Sequence, residues 1–219
     1  MSRGLGDVYK RQIEETAIQA RHSEFVDQSS GVSVRLTIAL LENVISNAER
    51  RGLLLGRSEI TARVSDLFGA LSAVTGKIEL VFEGEREGPA SVAERLLGQG
   101  VSAVFKRYVP APYAEERSGA EGETQDVYKP IVDWFAGGQS VVVQDQGDAD
   151  EKLVQVTGLA DLVQTHLGAG EPLDEDALYA GCELVLEGLH QASLLSKDRS
   201  PDGVTYGDML KRMFAGFED

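Results

Sequence analysis

The sequence has one cysteine, Cys182, and one tryptophan among 219 residues. A lone thiol cannot close an internal disulfide, so no disulfide framework holds this fold. Its three histidines, His22, His166 and His190, are scattered and, beside a single thiol, show no zinc-ligand spacing. No apolar run approaches the ~20 residues that span a bilayer. The N-terminal stretch also has no apolar segment of the kind a secretory signal uses, and a cytoplasmic location is expected. Basic residues are few, 21 against 36 acidic ones, for a formal net charge of −15. Such a surface repels phosphate backbones, and no Lys/Arg run is interleaved with aromatics, so nucleic acid is not an expected partner.

The chain also has no phosphate-binding P-loop. That motif needs G-x-x-x-x-G-K-[ST], whose backbone amides cradle phosphates while Lys and Ser/Thr serve the γ-phosphate and Mg²⁺. The one Gly-Lys pair, Gly76-Lys77, is followed by Ile78, and Leu71 stands where the first glycine belongs. No apolar strand ends in an Asp-Glu pair that could hold magnesium. Tight ATP binding and hydrolysis by this polypeptide are therefore not expected.

What is present reads as mainly helical. Residues 1–12 show no helical or strand period. From Ser2 to Gln12 they resemble, in order, one reading frame of a transposon-based sequencing adapter, so the natural sequence is expected to start at Ile13. Ile13, Ala17 and Ala20 share one side of a helix ending at His22, and Glu24 to Gly31 is a polar loop. Ser33 caps a strong helix, in which Val34, Ile38, Leu41, Ile45 and Ala48 recur as one stripe predicted to be buried. Arg50-Arg51-Gly52 supplies a basic last turn and a stop. A helix follows from Thr61 to Val74, with Ile60, Val64, Leu67, Phe68 and Leu71 apolar. The alternation of Ile78, Leu80 and Phe82 predicts a short strand. Pro89 to Tyr108 predicts a helix weakened in its middle by Gly98 and Gly100.

Residues 110–126 are rich in Pro, Gly and Glu and read as a linker. Beyond it, helices are predicted at Val127 to Phe135, Asp150 to Leu167 and Asp174 to Ser196, with a strand at Ser140 to Val143. Leu178, Cys182, Val185, Leu186 and Leu189 form the buried face of the longest. Pro201-Asp202-Gly203 is a turn, and Tyr206 to Phe214 a last short helix. Glu183 and Glu187 share a helix face that should be solvated. Trp134 and Phe135 read as core. Ser29 and Ser30 have no base placed near them by any motif, so nucleophilic catalysis is not expected.

The most informative stretch is Gly31-Val32-Ser33-Val34-Arg35-Leu36, where a cap and an arginine share the first helical turn. Helix N-termini carry partial positive charge, so a cation there is unfavourable by ~0.3–1 kcal/mol unless an anion lies close. A capped N-terminus plus a guanidinium fork makes a phosphate clamp. The competing reading is a solvated Arg35, or one paired with Asp27 or Glu24.

Gly31-x-Ser33-x-Arg35, the aliphatic helix after it, Arg50-Arg51-Gly52 and the second helix resemble the lid of MoxR and magnesium-chelatase I-type AAA+ ATPases. The similarity is closest over 17–82. Ile131 to Phe135, Val156 to Leu159 and Leu186 to His190 are similar, less specifically, to the C-terminal extension of such proteins. The resemblance implies a helical lid bundle with a short strand or hairpin over 13–76, completed by a strand and helix over 77–109. After the linker it implies a small helical domain over 127–219. It implies that Arg35 is the sensor 2 residue, touching the γ-phosphate, with Ser33 as its supporting cap. ATP and Mg²⁺ would belong to the intact protein, whose P-loop core would precede Ile13. Partners would be neighbouring subunits of a homo-oligomeric ring and a von Willebrand-A-type protein. A pigment-related magnesium chelatase is a further reading. The alternative from another class is a stand-alone acidic helical interaction module.

Overall fold

The computed structural model describes residues 7–30, 32–110, 112, 127–147, 152–200 and 203–209. It is mainly helical, with one small antiparallel sheet. Among the described residues no helix is long and apolar enough to cross a membrane. The chain divides into two compact units, Met1–Val104 and Phe105–Asp219.

In the first unit, α1 (Val8–His22) starts inside the adapter-like segment rather than at Ile13. Val8, Gln12, Ile13, Thr16, Ala17 and Ala20 are buried along it. Ile13, Ala17 and Ala20 lie on this stripe as predicted; its extension through Val8, and its polar members Gln12 and Thr16, escape a hydrophobicity reading. Thr16 satisfies its hydroxyl locally by donating to the Gln12 carbonyl at 2.8 Å.

α2 (Val34–Leu55) packs against α1, α3 (Val64–Gly69) and α4 (Leu71–Thr75). Its buried residues are Leu36, Leu40, Val44, Ala48, Arg51 and Gly52. The predicted stripe is therefore corrected: Ala48 is buried, Leu41 is half-buried, but Val34, Ile38 and Ile45 are exposed. The helix carries two apolar faces, and the fold uses the other one. Nor does α2 stop at Arg50-Arg51-Gly52. It runs on to Leu55, because Arg51 is turned inward to an acidic partner.

The predicted Thr61–Val74 helix is two short ones, broken at Ala70, and its N-cap position is Arg63 rather than Thr61. Ile78, Leu80 and Phe82 do not form a strand. Leu80 makes a single bridge to Val26, and α5 (Phe82–Glu87) begins at once, with Phe82 exposed. Glu83 and Glu85 in its first turn suit the positive end of a helix, which outweighs a short β-like alternation.

α6 runs Pro89–Tyr108, the predicted bounds, and Gly98 and Gly100, expected to weaken its middle, do not interrupt it. Gly100 is there for close approach. A Cβ on it would lie 2.9 Å from the Thr16 amide nitrogen and 3.0 Å from the Gln12 carbonyl oxygen of α1. Gly100→Ala should therefore force these backbones apart and destabilise the first unit by about 1–3 kcal/mol, despite alanine's better helix propensity. A chemical-denaturation midpoint equal to that of the parent chain would contradict this packing.

The second unit is built around α10 (Glu175–Gln191), capped by Asp174, whose carboxylate accepts from the Ala177 N–H at 2.8 Å. α7 (Lys129–Ala136), α8 (Lys152–Gln155) and α9 (Leu159–Leu167) precede it. Asp150–Leu167 is thus not one helix: Gly158, at φ 79°, turns the chain between α8 and α9. Buried Ile131, Phe135, Leu153, Leu159, Val163, Cys182, Val185, Leu186 and Leu189 form the core; Leu178 is only half-buried. Trp134 sits edge-on to Phe135, ring centroids 5.0 Å apart.

The sheet is the main departure from expectation. β1 (Val141–Gln144) was predicted, but β2 (Leu195–Ser200) and β3 (Gly203–Asp208) replace a helix end and the start of another. Residues 210–214 of that last predicted helix lie outside the described residues, as do Pro201, Asp202 and most of the 110–126 linker. The strand order is β1-β3-β2, all antiparallel, with Val141 opposite Tyr206 and Tyr206 opposite Lys197. α10 ends at Gln191 through Ser193 at φ 61°, a conformation usually left to glycine. Without a glycine or proline there, the sequence carries no stop signal.

Candidate functional site

Three polar centres stand out among the described residues, and they differ in whether water reaches them. The first lies at the entrance to α2. Ser33 is extended (φ −63°, ψ 141°), and its Oγ accepts the Arg35 N–H at 3.1 Å, so the predicted cap is formed. Arg35 is exposed, and among the described residues neither Asp27 nor Glu24 pairs with it. Gly31, the first position of the motif, lies outside the described residues.

The loop leading to α2 is tied down on its own terms. Gln28 Nε2 donates to the carbonyls of Ala20, Ser23 and Val26 at 3.3, 3.1 and 3.0 Å. The Asp27 carboxylate accepts the Ser29 hydroxyl at 2.7 Å and the Ser29 amide at 2.8 Å, and the Ser30 hydroxyl at 3.3 Å. These bonds, that from the Ser29 side chain first, hold Asp27 below the usual carboxylate range. Asp27 N–H donates to the Glu79 carbonyl at 2.8 Å, and the Ser30 hydroxyl donates to the Glu79 side chain. Asp27 is thereby committed to ordering the loop. The two serine hydroxyls point at carboxylates as donors, an arrangement for turn stability.

The second centre is buried in the first unit. Arg51 Nη2 lies 2.8 Å from Asp66 Oδ2, both side chains 1% exposed, and also donates to the Thr61 carbonyl at 2.8 Å. Asp66 Oδ2 accepts the Arg63 N–H at 2.9 Å, and Asn47 reaches the Asp66 carbonyl at 3.0 Å. One carboxylate thus joins the last turns of α2 to the first turn of α3.

The third centre is buried in the second unit and overturns the expectation of a solvated face. Glu183 and Glu187 are both buried. Glu187 receives the Tyr206 hydroxyl at 2.7 Å, the Gln191 amide at 2.9 Å and the Lys197 ammonium at 2.9 Å. Burial alone pushes the Glu187 carboxyl up, but the Lys197 charge and these three donors outweigh it and leave it lowered. The same geometry, with burial first, pushes the Tyr206 phenol well above its ordinary range. Cys182, buried on the same helix and followed by the Glu183 carboxylate, is pushed up to about 12 and is inert as a thiol.

A signal for this centre was present in the sequence. From Ala177 to Leu189 every position but a few is apolar, and a helix apolar all round is buried. Carboxylates inside such a helix must be buried and paired. Lys197 and Tyr206 could not be foreseen, because the hairpin that carries them was not.

With three donors on its two oxygens and the side chain buried, the Glu187 carboxylate is committed to holding α10 to the hairpin. The Arg51–Asp66 pair is equally enclosed. No group of described His, Cys, Asp and Glu residues is arranged to hold a metal ion. Nδ1 of His22 and of His190 lies within hydrogen-bond distance of a backbone carbonyl, that of Ile18 at 2.9 Å and that of Leu195 at 3.0 Å. Of the three centres, only the α2 entrance faces solvent. Comparisons with family models, with curated proteins and with solved structures gave no match.

Proposed function

We propose that the first unit is the helical lid of a magnesium chelatase-like AAA+ ATPase, and that Arg35 reads the terminal phosphate of ATP. The observation that supports this reading best is the exposed guanidinium in the first turn of a side-chain-capped 22-residue helix. A cation in that position is electrostatically misplaced unless an anion comes to it. Helix N–H groups and a guanidinium fork together donate to phosphate oxygens.

The chain's own residues suit the anion and not the metal. Asp27, the carboxylate in the loop before Ser33, is taken up by Ser29 and Ser30. With no P-loop either, this chain would supply one contact to ATP, while Mg²⁺ and the remaining phosphate contacts would fall to a nucleotide-binding core. Arg35 would report γ-phosphate loss as a change in lid position, passed to neighbouring subunits of a ring. The second unit would face a partner, of the von Willebrand-A type if the resemblance extends so far, in the cytoplasm. The pigment-related chelatase reading shares this lid and differs only in client.

The test joins the chain to the nucleotide-binding core of its own gene and compares Arg35→Ala with the parent. ATP turnover should fall at least about tenfold, as for removal of a phosphate-stabilising arginine. The thermal midpoint should stay put, since an exposed substitution costs within about 0.5 kcal/mol. Unchanged turnover would remove the sensor role.

A second reading, an acidic helical interaction module with no ATPase role, has the exposed Val34, Ile38 and Ile45 in its favour. It expects a gene with no nucleotide-binding fold ahead of this region.

A further inference from the structure

On α2 the fold leaves uncovered the stripe whose spacing is most regular. Val34, Ile38, Leu41 and Ile45 are separated by four, three and four residues, the a/d seam of a coiled coil. Val34 is 68% exposed, Ile38 52% and Ile45 38%, on a helix whose opposite apolar face is fully buried. Scattered exposed apolar residues need no explanation, but a continuous seam at heptad spacing is shaped to receive another helix.

The residues flanking the seam say which helix. Counting Ile38 as position a, the solvent-side flank is position e, occupied by Arg35, Glu42 and Glu49, all exposed. The other flank holds Val44 and Arg51, which are buried. Only the Arg35 side can therefore meet charges on a partner. If a second α2 is laid antiparallel across a two-fold axis near residue 43, Leu41 packs beside Ile45 of the other copy, and Ile38 lies over the end of the seam, where Ala48 is already buried in its own unit. The same overlay brings Arg35 close to Glu49 of the other copy, twice by symmetry. It leaves Glu42 facing its own image at the axis, an unfavourable term that keeps the association weak.

We propose that two copies of this chain pair through α2, antiparallel, covering the Val34–Ile45 seam and joining Arg35 to Glu49 across it. The pairing is isologous and closed, so it stops at two. It does not rest on the phosphate-sensing reading. Because one guanidinium cannot serve a carboxylate and a phosphate at once, the paired form is one in which Arg35 is withdrawn from nucleotide.

The test is sedimentation equilibrium of the full chain up to about 1 mM, the range in which weak protein pairs assemble. A reversible monomer–dimer equilibrium is expected. Ile38→Glu should weaken it at least about tenfold by placing a charge in the seam. Arg35→Glu and Glu49→Arg should each weaken it about threefold, and the two together should restore it. Glu42→Gln, which removes the like charges facing each other at the axis, should tighten it. All four positions are exposed, so far-UV circular dichroism should stay constant. A chain monomeric throughout would overturn the proposal and assign the seam to a different partner. A dimer indifferent to Ile38→Glu, or one that the double charge swap fails to restore, would overturn it too, placing the contact elsewhere or in another orientation.

Discussion

Glu187→Ala is expected to unfold the second unit more readily than any surface change, at a cost of about 3 kcal/mol and roughly 10 °C in melting temperature. The reason is not the bonds lost but the groups left behind. The Lys197 side chain and the Tyr206 hydroxyl stay buried after the acceptor they share is gone. Glu187→Gln should cost less, because an amide oxygen still accepts from Tyr206 while the charge is lost. The dependence on pH has a definite sign. The folded carboxyl sits below its ordinary value of 4.5, so the unfolded chain takes up the proton first on acidification. The stability it contributes is complete above that value and is lost as pH falls through the folded one. The gap between parent and Glu187→Gln should therefore be constant from neutrality to about pH 5 and close below it. Denaturant melts at several pH values measure this directly, and a gap that widens in acid would show that the carboxylate is not ionised in the fold.

Asp66→Ala should be comparably severe in the first unit, at about 3–5 kcal/mol. It removes the counter-charge of Arg51, which is 1% exposed, and the acceptor of the Arg63 amide at the start of α3. A double change, Arg51→Met with Asp66→Leu, should recover most of the loss, since well-packed apolar residues often replace a buried pair at little cost. The two melts together separate a pair that stabilises from a pair that merely cannot be broken. A single Asp66→Ala within about 0.5 kcal/mol of the parent would show that water reaches Arg51.

How far the amino-acid sequence reveals this fold depends on where its polar groups end up. α6 was legible to the residue because Pro89 opens it and its apolar positions keep one period. Ser33 was legible as a cap because its chemistry is local. The failures share a cause. Arg51, Asp66, Glu183, Glu187 and Lys197 are charged groups whose burial depends on partners distant in sequence, and polarity alone marks each of them as surface. β2 illustrates the effect. Its inward-facing Lys197 breaks the alternation that would announce a strand, because it reaches a carboxylate on α10. On α2, two apolar faces compete, and periodicity cannot say which one the neighbouring helices will take. At the α2 entrance the cap was legible because its chemistry is local, whereas the phosphate-sensing role expected of Arg35 came from the family resemblance. Its surroundings, the Asp27–Ser29–Ser30 loop held to Glu79, depend on a bridge that no motif announces.

The order of strands in the small sheet carries a consequence for synthesis. Among the described strands β3 is the last to be made and lies in the middle, with β1 and β2 on either side and no pairing between those two. While the chain emerges from the ribosome, residues 141–144 have nothing to join until residues 203–208 are clear of the exit tunnel. A nascent chain cut short before Gly203 would leave two sticky edges and a lysine aimed at Glu187 from a strand without a register.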